Sequence, residues 1–150
     1  MGAQKPKKAE KADQTSELVA LLEKWQAIED HSVESTTQII QNTGNPLIKL
    51  VMDIIRHDSI MHKRVQQFMI DSLTKTPVTL TPEELGEIWE SVERHAEMEK
   101  ETIRLAEQAK KDCRLFVQKH LLTYLVEDEQ LHDRLLGQLE DFKRKLYPYA

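Results

Sequence analysis

From Thr15 to Leu146, apolar residues recur three and four positions apart, and the recurrence breaks at only a few places. That period is the one-faced pattern of an amphipathic α-helix, so the chain is constrained to an all-α fold before anything else is known. A first helix is expected from Thr15 or Ser16 as N-cap to Ile40, where QNTGNP ends it with Gly44 and Pro46. A second runs from about Pro46 to Leu73 and stops at TKTPVTLTPEE. Thr81, Pro82 and Glu84 then form a start signal, with an N-cap, proline at the first helical position and glutamate at the third. The third helix continues to about Lys110. There KKDC interrupts the apolar stripe without a strong breaker, and a fourth helix is expected from about Arg114 to Leu146.

Four helices with short links suggest a bundle. The link between the second and third decides its topology, because about eight extended residues reach roughly 27 Å, whereas a helix of about 28 residues is roughly 42 Å long. Such a link cannot return along the bundle, so the expectation is an up-down-up-down four-helix bundle. Scarce glycine and proline, few aromatics and 31% charged residues agree with helix throughout. Residues 1–14, MGAQKPKKAEKADQ, are polar and Lys-rich without periodicity and are expected to be a disordered tail, leaving 15–150 as one domain.

Composition also excludes function classes. A net charge of −5 without a basic stripe is the wrong electrostatic footprint for nucleic acid. Cys113 is the only cysteine, which removes an intrachain disulfide framework and any CxxC pair and points to a reducing, cytoplasmic setting. The N-terminus lacks the apolar segment of a signal peptide, and no apolar run approaches the roughly 18 residues that span a bilayer. A soluble protein is expected.

The two hairpins look like copies of one another. LLEKWQAIEDHSVESTTQI and LGEIWESVERHAEMEKETI match without gaps at Leu21/Leu85, Glu23/Glu87, Trp25/Trp89, Glu29/Glu93, His31/His95 and Ile39/Ile103. IIRHDSIMHKRV and YLVEDEQLHDRL match at Asp58/Asp128, His62/His132 and Arg64/Arg134. The core stripe of the fourth helix reads Leu121, Leu125, Asp128, His132, Leu135, Leu139, Phe142, and that of the second reads Val51, Ile55, Asp58, His62, Val65, Met69. Each carries an acid and a histidine one turn apart in the middle of an apolar face. The midpoints of His31 with His62, of His62 with His95 and of His95 with His132 fall in or beside the expected links. One histidine per helix therefore lies on a common level, with Asp58, Asp128, Glu99, and Glu29 or Glu34.

Burying so many ionisable groups uncompensated costs several kcal/mol per charge, so they must pair or bind metal. Four imidazoles and four carboxylates match the ligand count of a di-metal centre. The competing reading is a metal-free Asp–His network that enforces helix register in a non-catalytic structural or interaction module. Trp25 and Trp89 read as packing, with a dimer anchor as the alternative; Cys113 has no evident base beside it; His57 and His120 fall off the stripes; and EKETIR is a wet face.

With Glu129-Gln-Leu-His132 on the fourth helix, the chain resembles the ferritin-like superfamily, which includes rubrerythrin-type di-iron proteins. The resemblance covers residues 15–146. It implies a Glu on the first and third helices, supplied by Glu29 or Glu34 and by Glu93 or Glu99, and Glu-x-x-His on the second and fourth. The second helix departs from this pattern: Ser59 stands at the Glu position, and Asp58 must substitute beside His62. His31 and the pair His95-xxx-Glu99 give a weaker similarity to hemerythrin-like bundles. The ferritin-like resemblance implies two irons per chain, or manganese; taken with the histidines and acids of the common level, the candidate ligands are His31, Glu34, Asp58, His62, His95, Glu99, Asp128, Glu129 and His132, with Glu29 and Glu93 as alternates. It implies iron oxidation, peroxide reduction or oxygen activation by a di-iron oxidase or peroxidase. No CxxC segment is present to carry electrons, so the donor would be a separate protein; a homodimer is the other expected association.

Overall fold

The computed structural model describes residues 7–145, and the side chains of these except 7–13, Pro82, Leu85, Arg144 and Lys145. Residues 1–6 of the expected tail, Leu146 at the expected end of the fourth helix, and the Leu85 side chain lie outside the described residues. The fold is all-α: α1 (Lys7–Asn42), α2 (Pro46–Thr74), α3 (Pro82–Asp112) and α4 (Phe116–Lys145). The helices contact in pairs, α1 with α2 and α3 with α4, giving the two αα-hairpins from which the expected architecture is built. Each hairpin is a compact unit, residues 1–78 and 79–150. Among the described residues no helix is long and apolar enough to cross a membrane.

Local chemistry explains the boundaries. Asn45 caps α2, its side-chain oxygen accepting from the Leu47 and Ile48 amides at 2.9 and 3.2 Å, with Pro46 at the first position. Thr81 and Glu84 close the expected capping box: the Thr81 amide donates to Glu84 Oε2 at 2.8 Å, and the Glu84 amide donates to Thr81 Oγ1 at 3.3 Å. Between α3 and α4, Cys113 turns extended and stops the helix without glycine or proline. The start of α1 differs from expectation. Its backbone is helical from Lys7, well ahead of Thr15, because KKAEKADQ is rich in Lys, Ala and Glu, strong helix formers whose propensity extends a helix without an apolar period.

The expected core stripes are not the seams of the hairpins. In α2 the buried residues are Ser59, Gln66 and Ile70, while Val51, Ile55 and Val65 of the apolar stripe are exposed. In α4, Val126 is buried and Leu125, Leu135, Leu139 and Phe142 are exposed. Trp25 and Ile28 of α1 stand 49% and 60% exposed, and Trp89 is half-buried under the Lys143 ammonium, which sits 3.9 Å from the ring centroid. In the first hairpin the buried flank is largely polar and small, with Glu29, Thr36, Ser59 and Gln66 beside Leu22 and Ile70, and in the second it holds Glu99 and Val126.

The helix boundaries also set the register of the repeat. α1 and α3 end, and α2 and α4 begin, at positions 70 residues apart. The second and fourth helices match at this same shift, but the gapless match of the first and third helices, Trp25 with Trp89 and His31 with His95, is a shift of 64 and is corrected by the structure. Six residues of slip is roughly 240° around a helix, so those sequence partners occupy different faces. In the structural register Glu29 corresponds to Glu99 rather than to Glu93.

Candidate metal centre

The second hairpin gathers the densest set of metal-ligating side chains. Glu99, 8% exposed near the middle of α3, receives His95 Nε2 at 3.0 Å on one carboxylate oxygen and His132 Nδ1 at 3.5 Å on the other. His95 lies one turn before it on the same helix; His132 reaches across from α4. Glu129, one turn before His132, brings Oε2 to 3.4 Å from the same imidazole nitrogen, and Asp128 Oδ2 lies 3.9 Å from Nε2. One ligand atom each from Glu99, Glu129 and His132 fall within 4.8 Å of one another, the one such group of His, Cys, Asp and Glu among the described residues.

The electrostatics of this group are those of two carboxylates in one place. A hydrogen bond with Glu99 is the largest cause that holds the Glu129 carboxyl above its ordinary value of 4.5; desolvation and the Glu99 charge push the same way, and His132 opposes them. Glu129 therefore gives up its proton less readily than an isolated carboxyl does. Two oxygen donors and one imidazole suit iron, manganese or zinc, which bind such donors at about 2.0–2.2 Å, so an ion would draw the three groups closer and favour the ionised form of both carboxylates. A groove of about 410 Å³ lined by His95, Glu99, His132, Leu135, Leu139 and Phe142 gives access to the cluster.

The first hairpin repeats half of this arrangement. His62 Nδ1 lies 3.2 Å from Oε1 of Glu29, which is buried, so Glu29–His62 is the counterpart of Glu99–His132 in the structural register. At the place of Glu129 stands Ser59, buried and donating to Ser32 Oγ across the seam at 2.8 Å. Gln26 donates to the Lys63 carbonyl at 3.4 Å and to Gln67 Oε1 at 3.2 Å, and Lys63 pairs with Asp30.

Of the residues singled out by sequence, Glu99, Glu129 and His132 converge, with His95 and Asp128 at their edge. His62 meets Glu29, one of the two alternatives on α1. His31, Glu34 and Asp58 are exposed, and none makes a hydrogen bond or ion pair with a described residue. Glu93 accepts from Trp89 Nε1 at 2.8 Å, away from the cluster. Cys113 is half-buried at the α3 C-cap, and His57 and His120 are exposed, the first on the Asp53 carbonyl and the second edge-on to Phe116. Sequence reasoning passed over Gln66, which is 2% exposed with neither its amide nitrogen nor its amide oxygen partnered. Its signal was available: it lies one turn after His62 on the same face. No protein family, curated protein or solved structure matches this chain.

Proposed function

We propose that this chain is a metal-binding helical protein whose second hairpin holds a divalent first-row ion, iron or manganese, through Glu99, Glu129 and His132. The observation that carries the reading is the convergence of those three donors within 4.8 Å around a buried glutamate, with a raised Glu129 carboxyl beside it. Two carboxylates neutralise the ion and one imidazole supplies a directional nitrogen. His95, on the far oxygen of Glu99, would orient that ligand rather than bind. Bound iron with three protein ligands keeps open positions, and the groove beside it leads to them, which supports oxygen or peroxide as the reacting class named by the ferritin-like resemblance.

A metal-free polar network is the second reading, and the first hairpin favours it, since Glu29–His62 and Ser32–Ser59 close as pairs. Metal per chain by mass spectrometry, on protein produced in iron- and manganese-supplemented medium and after anaerobic Fe(II) titration, separates the two. The proposal expects metal in the wild type, with one equivalent lost in both Glu129→Gln and His132→Ala. A wild type that neither carries nor takes up metal leaves the network as the function of these residues.

A further inference from the structure

The imidazole of His132 has different company on its two nitrogens. Nδ1 faces the carboxylates of Glu99 and Glu129, at 3.5 and 3.4 Å, whereas Nε2 faces Asp128 Oδ2, at 3.9 Å. Among the described residues, Glu99, Glu129 and His132 are the one group whose three ligand atoms converge, so the metal-facing side of the ring is the Nδ1 side. A neutral imidazole that binds through one nitrogen carries its proton on the other, and that N–H takes an acceptor which holds the ring in place. Asp128 is the carboxylate on that outer side. Helical spacing alone does not bring it there. The first hairpin has the same spacing at Asp58 and His62, yet Asp58 is exposed and makes no hydrogen bond or ion pair with a described residue. That hairpin carries Ser59 at the place of Glu129, and none of its described residues form a converging group of three donors. The aspartate approaches the histidine where the histidine also faces two carboxylates.

We infer that His132 binds the ion through Nδ1 and that Asp128 is its positioning residue, accepting from Nε2–H and so fixing the tautomer and orientation of the ring. The inference rests on the reading of the second hairpin as a metal centre and deepens it: Asp128, expected from the sequence as a ligand, holds a ligand instead. Its 3.9 Å from Nε2 is longer than a hydrogen bond. The side chain is 35% exposed, which leaves it free to close that distance by rotation. A charged acceptor on the outer nitrogen also raises the basicity of the inner one toward the metal.

Zn(II) is the probe, because it is diamagnetic and suits the same donors. In the full chain with isotope-labelled histidine, couplings between ring protons and ring nitrogens report which nitrogen of His132 is metal-bound and which is protonated; His132→Ala assigns the signals. Nδ1 bound with Nε2 protonated is the expected result, and Nε2 bound overturns the inference. Zinc affinity, by competition with a chelator, is the second readout. Asp128→Ala should weaken binding by about 10–100-fold. Asp128→Asn should fall between that variant and wild type, because its amide oxygen still accepts from Nε2–H although the charge is gone. Asp58→Ala, at the matching place in the first hairpin, should bind as wild type does, and circular dichroism confirms that the variants fold. Equal losses in Asp128→Ala and Asp128→Asn would reduce the effect to charge alone and overturn the inference. So would an Asp128→Ala variant that binds as tightly as wild type while Glu129→Gln does not, and that result leaves the metal centre standing. A wild type that takes up no zinc, or takes it up indifferently to Glu129→Gln, overturns the metal centre itself.

Discussion

Gln66→Leu in metal-free protein should stabilise the chain. The side chain is 2% exposed, and neither amide atom has a partner, so folding strips the group of water and returns nothing. Leucine fills a similar volume with apolar atoms, and its helix propensity is as good as that of glutamine, so the backbone of α2 has no reason to object. The recovered desolvation is about 1–3 kcal/mol. The hairpin concerned lies in the unit spanning residues 1–78, and for a domain of that size each kcal/mol moves the thermal midpoint by about 4–8 °C. The assay is thermal and urea unfolding followed by circular dichroism in excess chelator, with Gln67→Leu as the control. Gln67 is exposed, accepts from Gln26 and donates to Asp71 at 2.8 Å, so its replacement should gain nothing. A Gln66→Leu variant less stable than wild type by 1 kcal/mol or more would refute the reasoning. It would mean that the amide is already bonded in the folded chain.

Three further outcomes follow from the geometry. The Glu129 carboxyl is held above its ordinary value in the folded chain, so its contribution to metal-free stability is fully present below about pH 4.5 and is lost as pH rises through the folded value; Glu129→Gln should remove that decline, and parallel wild-type and variant curves of stability against pH would sink that account. Asn45→Ala, which takes away the acceptor of two α2 amides, should cost about 1 kcal/mol in urea unfolding, and Thr81→Ala, which opens the α3 capping box, a similar amount. Ser59→Glu, at the first-hairpin counterpart of Glu129, should destabilise metal-free protein by about 1–3 kcal/mol through crowding and charge, and Mn(II) at about 100 times its dissociation constant should restore about 2.7 kcal/mol; a variant whose midpoint ignores Mn(II) excludes the proposed position.

Helix existence and the α2 and α3 starts were legible because they are written locally, in periodicity, in Pro46 and in the Thr81–Glu84 signal, whereas α4 starts at Phe116 rather than at the expected Arg114 because no breaker marks that boundary. The N-terminal extension of α1 was not, since KKAEKADQ carries no apolar period and signals helix only through propensity. In the candidate site, Glu-x-x-His at Glu129 and His132 was legible because three residues on a helix is a fixed spatial relation. Choosing among Glu29, Glu34, Glu93 and Glu99 was not, because that choice depends on the rotation of one helix against another. Glu29 and Glu99 differ from their neighbours only in lying on the seam, and the seam runs beside the apolar stripe rather than along it. The repeat misled for a related reason. Paired Trp and His drew the first and third helices into a register that the two interhelix links, 70 residues apart, do not permit.

In that corrected register, what the two hairpins share is narrower than the sequence match suggested, and more informative. Both keep one buried glutamate on the first helix facing one histidine on the second. Around this pair the neighbours are exchanged: Ser59 stands for Glu129, Trp25 for His95, and Gln66 for Leu136. A buried carboxylate with a single half-exposed imidazole can close as an ion pair and needs nothing further. Adding a second carboxylate, as Glu129 does, raises that carboxyl above its ordinary value. Adding an amide, as Gln66 does, leaves a polar group dry. Each hairpin thus carries one oxygen donor more than its Glu–His pair can satisfy, three residues before the histidine in one case and four after it in the other. Both spacings return to the histidine's own helix face. In the second hairpin the extra carboxylate converges on the pair within 4.8 Å, and a cation there would offset the repulsion that raises it.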